Sequence, residues 1–178
     1  MATEYEFDAG RLASLIDHIH ANPSAGKTVW KAETEWKKGL RSEAHIRTHT
    51  VPMDEPEQLG GTDTAPNMVE VVLGAYGCCL TTGLVANAAM MGIDLDEISV
   101  EIEGDLDLQC FLGLKSPEEV CPGYTSVRAR VYLNSSTSSQ EELQRLYDKA
   151  VPSSPVGSIL TRPIEVLTEL GQGRLASA

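Results

Sequence analysis

From Val71 to Ile93 the chain runs 23 residues without one charged side chain, between Glu70 and Asp94. An uninterrupted apolar segment of that length has two physical homes: a helix buried on all sides in a protein core, or a membrane span of about 20 residues. Gly74, Gly77 and Gly83, the polar Thr81, Thr82 and Asn87, and acidic flanks in place of Lys or Arg anchors argue against the bilayer. The reading is a helix buried at the centre of a soluble domain, with no membrane partner. At 178 residues the chain has room for one core and not comfortably for two. With 14 Lys+Arg against 26 Asp+Glu the formal charge is -12, which repels phosphate backbones and sets nucleic acid and anionic lipid aside as partners. The start "MATEYEFDAG" lacks the basic residues and apolar stretch of a signal peptide, so the expectation is a cytoplasmic protein whose four cysteines are reduced.

The rest of the chain alternates between the two periodicities. Asp8 can cap a first helix whose Leu12, Leu15, Ile16 and Ile19 share one face. "VWKAETEW" puts Trp30, Ala32, Thr34 and Trp36 on one side of a strand, and a turn at "KKGL" leads to a second strand over about residues 41–51. "VPMDEPEQLGGTDTAPN" reads as a long surface loop, with Asp63 or Thr64 opening the central helix ahead of Pro66. "EISVEIEGDLDL" and "SVRARVYL" alternate strictly, as half-buried antiparallel strands do. Ser138 with Glu141 forms a capping-box pattern for a helix bearing Leu143, Leu146, Tyr147 and Ala150, and "PIEVLTEL" reads as a last strand after an interruption at "VPSSPVGS". The predicted order is α-β-β-α-β-β-α-β, an α+β domain. Residues 1–22 form a helical extension, 23–170 the domain and 171–178 a flexible tail.

Several familiar patterns fail on their mechanics. "AGKT" at 25–28 lies between a helix and a strand, the reverse of a phosphate loop. His18 and His20 are about 200° apart on a helix, and His45 and His49 lie about 13 Å apart along a strand. No metal site is expected.

The string "LGGTDTAPNMVEVVLGAYGCCL" resembles the central signature of the OsmC/Ohr family, the osmotically inducible protein C and organic hydroperoxide resistance proteins. Glu70 near the start of the helix and Cys79 nine residues later match its spacing. "DEPEQLGG", "EISVEIEGDLD", "SPVGSIL" and "RPIEV" extend the likeness over about residues 28–168. The resemblance implies an intertwined homodimer in which long central helices are wrapped by antiparallel sheets. It also implies a peroxidatic thiolate at Cys79, with no cofactor. A second cysteine before the last strand resolves the sulfenic acid in characterised members; here that position reads Ser154, and a serine cannot close a disulfide. An external thiol reductant is then required. Cys121-Pro122 stands in a different loop and is not that motif.

A peroxidatic cysteine needs a positive neighbour, because a thiol near its reference value is only slightly ionised at neutral pH. The resemblance points to Arg41, with Lys38 as the fallback, held by Glu70. Nine helical residues turn about 900° and rise about 13 Å, which puts Glu70 and Cys79 on opposite faces. If both serve one site, Glu70 comes from the partner chain. The Cys79 face carries Val72, Tyr76, Gly83 and Met90, apolar walls suited to an alkyl hydroperoxide. Cys78, about 100° round the helix, and Cys110 read as core residues. The alternative is a non-catalytic OsmC-like protein that binds a small apolar ligand at the dimer interface.

Overall fold

The computed structural model describes residues 7–171. Helix α1, Ala9–Ala21, is capped by Asp8, whose carboxylate accepts from the Arg11 backbone N–H. Strands β1 (Glu33–Lys38), β2 (Arg41–Ile46) and β3 (His49–Met53) form an antiparallel meander in the order β1-β2-β3. Helix α2 spans Met68–Met91. Strands β4 (Glu97–Leu106) and β5 (Tyr124–Asn134) pair as a long two-stranded ribbon from Glu97↔Asn134 to Leu106↔Tyr124. Helices α3 (Gln140–Ala150) and α4 (Pro155–Thr161) follow, separated by a tight turn at Val151–Ser153. The result is the expected mixed helix and antiparallel-sheet fold around a long central helix.

The core gathers between Leu80 and Ala150. Leu80, Leu84 and Ala88, one turn apart on α2, form its buried stripe. Leu84 and Ala88 meet Leu143, Leu146 and Ala150 of α3 together with Ile93 and Leu95, while Ile98, Val131 and Leu133 of the ribbon pack against the cluster. Helix α2 is long and apolar enough to cross a bilayer, with a mean hydropathy of 1.6, and here it packs against β4, α3 and α4. It is not buried all round within one chain: its described surface beyond that stripe is half-buried or exposed. The uniform apolarity read from sequence therefore exceeds what one chain covers.

Other departures have local causes. The single strand expected over 41–51 is two, because Arg47 adopts φ 58° and turns the chain between Ile46 and His49. Helix α2 opens at Asn67, not at Asp63 or Thr64. Asn67 accepts from the Val69 N–H while Glu70 accepts from the Asn67 N–H at 2.9 Å, a reciprocal pair that no upstream residue can complete. The α3 capping box falls one residue later than expected, on Ser139 and Glu142. "PVGSILT" forms α4 where an interruption was expected, with Pro155 tolerated in the first turn. The segment 163–170, expected as a strand, has no ladder partner among the described residues and is exposed coil. The tail expected over 171–178 lies, from residue 172 onward, outside the described residues.

The loop between β3 and α2 is more ordered than a surface loop. Asp54 and Glu55 are buried. The Asp54 carboxylate accepts from the backbone N–H groups of Glu55, Thr62 and Thr64 and from both threonine hydroxyls, the Thr62 Oγ1 at 2.6 Å. Those bonds, the Thr62 hydroxyl first, hold its carboxyl well below the usual carboxylate range. Glu55 accepts from the Asn67 side chain, tying the loop to the α2 cap. A Cβ on Gly61 would lie 1.7 Å from the Glu55 carbonyl oxygen, so only glycine fits there.

Candidate active site around Cys79

Two elements converge on the Cys79 sulfur. Helix α2 carries Cys79 beside the buried Leu80, which seats it half-buried on the side facing α4. The turn after α3 is closed by the Ser154 N–H on the Val151 carbonyl, with the Ser153 hydroxyl on Ala150, and it delivers Ser154 as the N-cap of α4. Ser154 is 6% exposed, and its Oγ stands 3.2 Å from Cys79 Sγ. The same oxygen accepts from the Gly157 N–H at 3.0 Å. A Cβ on Gly157 would come within 3.0 Å of the Tyr76 ring, so the glycine lets α4 close onto α2. Tyr76, one turn before Cys79, has its phenol pushed up by burial, then by Tyr147 and by Cys79. It shares a cavity of about 300 Å³ with Tyr124, Gly157, Leu160 and Thr161.

The remaining predicted site residues are distributed differently. Glu70 is exposed at the helix start, engaged in the capping box. It lines a large open hollow of about 780 Å³ between α2 and β4, together with Leu73, Gly74, Cys78, Ile98 and Val100. Gly74 faces open space there, whereas at Gly77 the ribbon comes close, Ile102 lying 3.2 Å from where a Cβ would stand; Cys78 lines the hollow and is exposed where a core residue was expected. Cys110 is half-buried in the turn after β4, and Cys121 is exposed in the loop before β5. Arg41 and Lys38 face each other across the bulged β1-β2 turn, both exposed. Among the described residues neither pairs with Glu70, so a single chain does not bring the cation and carboxylate to Cys79. Val72 and Met90 are exposed on α2, and Gly83 is half-buried with open space at its Cα.

A group absent from the sequence reading lies on the exposed face of the β1-β2-β3 sheet. Ligand atoms of Glu35, Glu43 and His45 lie within 4.8 Å of one another. The Lys37 ammonium sits among them, 2.8 Å from Glu35 and 3.2 Å from Glu43, and supplies the positive charge the carboxylates need. The alternation "ETEWK" against "SEAH" could have flagged this cluster, since cross-strand neighbours place those residues together.

Comparison with known proteins agrees with the architecture. The OsmC-like protein family matches the chain over residues 61–169. An OsmC-like protein from Mycoplasma pneumoniae superposes with a TM-score of 0.63 at 12% identity, covering 75% of this chain and 88% of that one. An organic hydroperoxide resistance protein OsmC from Legionella pneumophila gives 0.56 at 19% identity, over 76% and 92%. An organic hydroperoxide resistance protein from Elizabethkingia anophelis gives 0.52 at 18%, over 74% and 89%. Likeness at these identities is likeness of fold. No curated protein matches the sequence.

Proposed function

The chain belongs to the OsmC-like protein family, and from that premise we propose that it is a thiol-dependent organic hydroperoxide reductase working with a single peroxidatic cysteine, Cys79. The observation that carries the proposal is the 3.2 Å approach of Ser154 Oγ to Cys79 Sγ. A side chain at that spot touches the reacting sulfur, and here it bears a hydroxyl that cannot form a disulfide.

The chemistry follows from those two groups. The Cys79 thiolate attacks one oxygen of the hydroperoxide, the O–O bond breaks, and the alkoxide leaves with a proton as the alcohol. Sulfur, oxidised, becomes a sulfenic acid. One external thiol displaces water from it to give a mixed disulfide, and a second thiol releases Cys79 and leaves as the external disulfide. Val72, Tyr76, Gly83 and Met90 are the proposed walls for the alkyl group.

The working unit is proposed to be a homodimer. Trp30, Trp36, Val166 and Leu167 are 80%, 73%, 71% and 82% exposed, and the β1-β2-β3 sheet, the β4-β5 ribbon and the exposed segment 163–170 stand unjoined. A second copy supplying strands to both sheets would cover them and the open faces of α2. Arg41 and Glu70 would then reach Cys79 across the interface, Arg41 raising its thiolate fraction. The proposed setting is the cytoplasm, where external thiols are abundant.

The test is consumption of cumene hydroperoxide with excess dithiothreitol by the full chain and its Cys79→Ser and Cys78→Ser variants. Turnover lost with Cys79→Ser and kept with Cys78→Ser is the expected result. A Cys79→Ser variant as active as the native chain contradicts the proposal.

A further inference from the structure

The Ser154 hydroxyl does more than fill the place of a thiol. A serine hydroxyl has one proton to give and two lone pairs to accept with. In this chain the Gly157 backbone N–H, which can only donate, points at Oγ from 3.0 Å and takes a lone pair. Cys79 Sγ, 3.2 Å away, is the other partner of that oxygen. With the serine 6% exposed, bulk water competes poorly for the hydroxyl proton. The α4 turn therefore holds Oγ against the sulfur with its proton and one lone pair still free, and toward a thiolate, which cannot donate, the hydroxyl gives its proton.

We propose that Ser154 is a thiolate-stabilising hydrogen-bond donor to Cys79, held in the donating orientation by the Gly157 N–H. A thiol sulfur is a weak acceptor and a thiolate a strong one, so a fixed O–H favours the charged form. Within the single chain no cation pairs with Cys79 among the described residues, which leaves this hydroxyl as the polar group in contact with the sulfur. The inference deepens the proposed function by assigning a role in it to Ser154, yet the ionisation it describes requires no hydroperoxide.

The groups around the sulfur leave that ionisation readable. On α2 the neighbouring titratable side chains are Cys78, an exposed free thiol, and Tyr76, whose phenol is pushed above its ordinary value and stays protonated through neutral pH. From α3 comes Tyr147, which acts on Tyr76. Residues 151–161, the turn and α4, carry no ionisable side chain, and β4 faces α2 with Ile98, Val100 and Ile102. Helix α1 also packs against α2, and its Arg11, Asp17, His18 and His20 are exposed.

The experiment is the pH profile of iodoacetamide labelling at Cys79 in the full chain, with tandem mass spectrometry separating Cys79 from Cys78. Ser154→Gly removes the hydroxyl while glycine remains a tolerated N-cap. It is expected to move the Cys79 profile up by about one pH unit, a tenfold drop in labelling rate on the acid limb, as for loss of one hydrogen bond to a charged acceptor. Ser154→Ala gives the same shift should the glycine variant fold poorly. Ser154→Thr, which keeps the hydroxyl, is expected to retain the native profile, and Cys78 labelling stays unchanged throughout. Superimposable Cys79 profiles for native and Ser154→Gly or Ser154→Ala protein overturn the inference, as does a Thr variant displaced as far as the Gly variant. Absence of hydroperoxide turnover alongside the Ser154 shift sinks the proposed function alone; turnover without the shift sinks this inference alone.

Discussion

The stretch from Asn67 to Thr161 and the stretch before it are built on different terms. In the first, α2, the β4-β5 ribbon, α3 and α4 close on one another around Leu84, Ala88, Leu143 and Leu146, and Ser154 meets Cys79 across that packing. In the second, a three-stranded sheet buries one hydrophobic residue, Ala44, and leaves Trp36 exposed. It is joined to the rest by the Asp54 loop, not by a packed face. A sheet hydrophobic on one side normally has to cover that side. The contrast teaches that Cys79, the sulfur proposed to react, belongs to the self-sufficient part, whereas Arg41 sits on the part that one chain leaves uncovered.

The comparison is most exposed to failure in paired core and sheet substitutions. Leu84→Ala is expected to cost about 2 to 5 kcal/mol of unfolding free energy by urea titration. Trp36→Ala would cost within about 0.5 kcal/mol if the sheet were truly bare. Under the proposed dimer it costs several times more, and the native midpoint rises with protein concentration. Equal midpoints across a hundredfold dilution, with a silent Trp36→Ala, would break the claim that a second copy covers the sheet.

Next in size is the Asp54 hinge. Its carboxyl is depressed in the folded protein below its ordinary value of 3.8, so its contribution is present above that value and is lost as pH falls below it. Native protein should lose melting temperature between about pH 4 and pH 2 more steeply than Asp54→Asn, which starts lower at pH 7. Parallel acid limbs for the two proteins would remove Asp54 as the link between the regions. The smallest effect is expected at the α2 cap: Asn67→Ala should cost about 1 kcal/mol. A larger loss would mean that the Asn67–Glu55 contact carries more of the junction than the cap itself.

Much of this molecule was legible because its local signals agree with its packing. The alternation in "EISVEIEGDLDL" gave β4 and its start, running two residues past its end at Leu106, and Asp8 marked the start of α1. Where local rules compete, sequence reading slipped. Asp63, Thr64 and Asn67 are all plausible caps, and the reciprocal bonds of Asn67 with Glu70, together with its tie to the buried Glu55, select among them. The extra hairpin depends on Arg47 entering a left-handed conformation, which arginine rarely signals. "PIEVLTEL" has the pattern of a strand but no partner among the described residues, and pattern cannot say whether a partner exists. The site divides the same way. Cys79 and Ser154 were found through a resemblance, and their contact was invisible to periodicity because 75 residues separate them. The apolar run around Cys78 reads as core because the sequence cannot show that a hollow opens beside it at Gly74.

The claim on which the account turns is that Cys79 alone carries the oxidised sulfur. Native protein exposed to one equivalent of cumene hydroperoxide, quenched with dimedone and sequenced by tandem mass spectrometry, is predicted to carry the sulfenic-acid adduct at Cys79 and nowhere else. Label at Cys78, or a protein that consumes the hydroperoxide while Cys79 stays unlabelled and free of any disulfide, would contradict it.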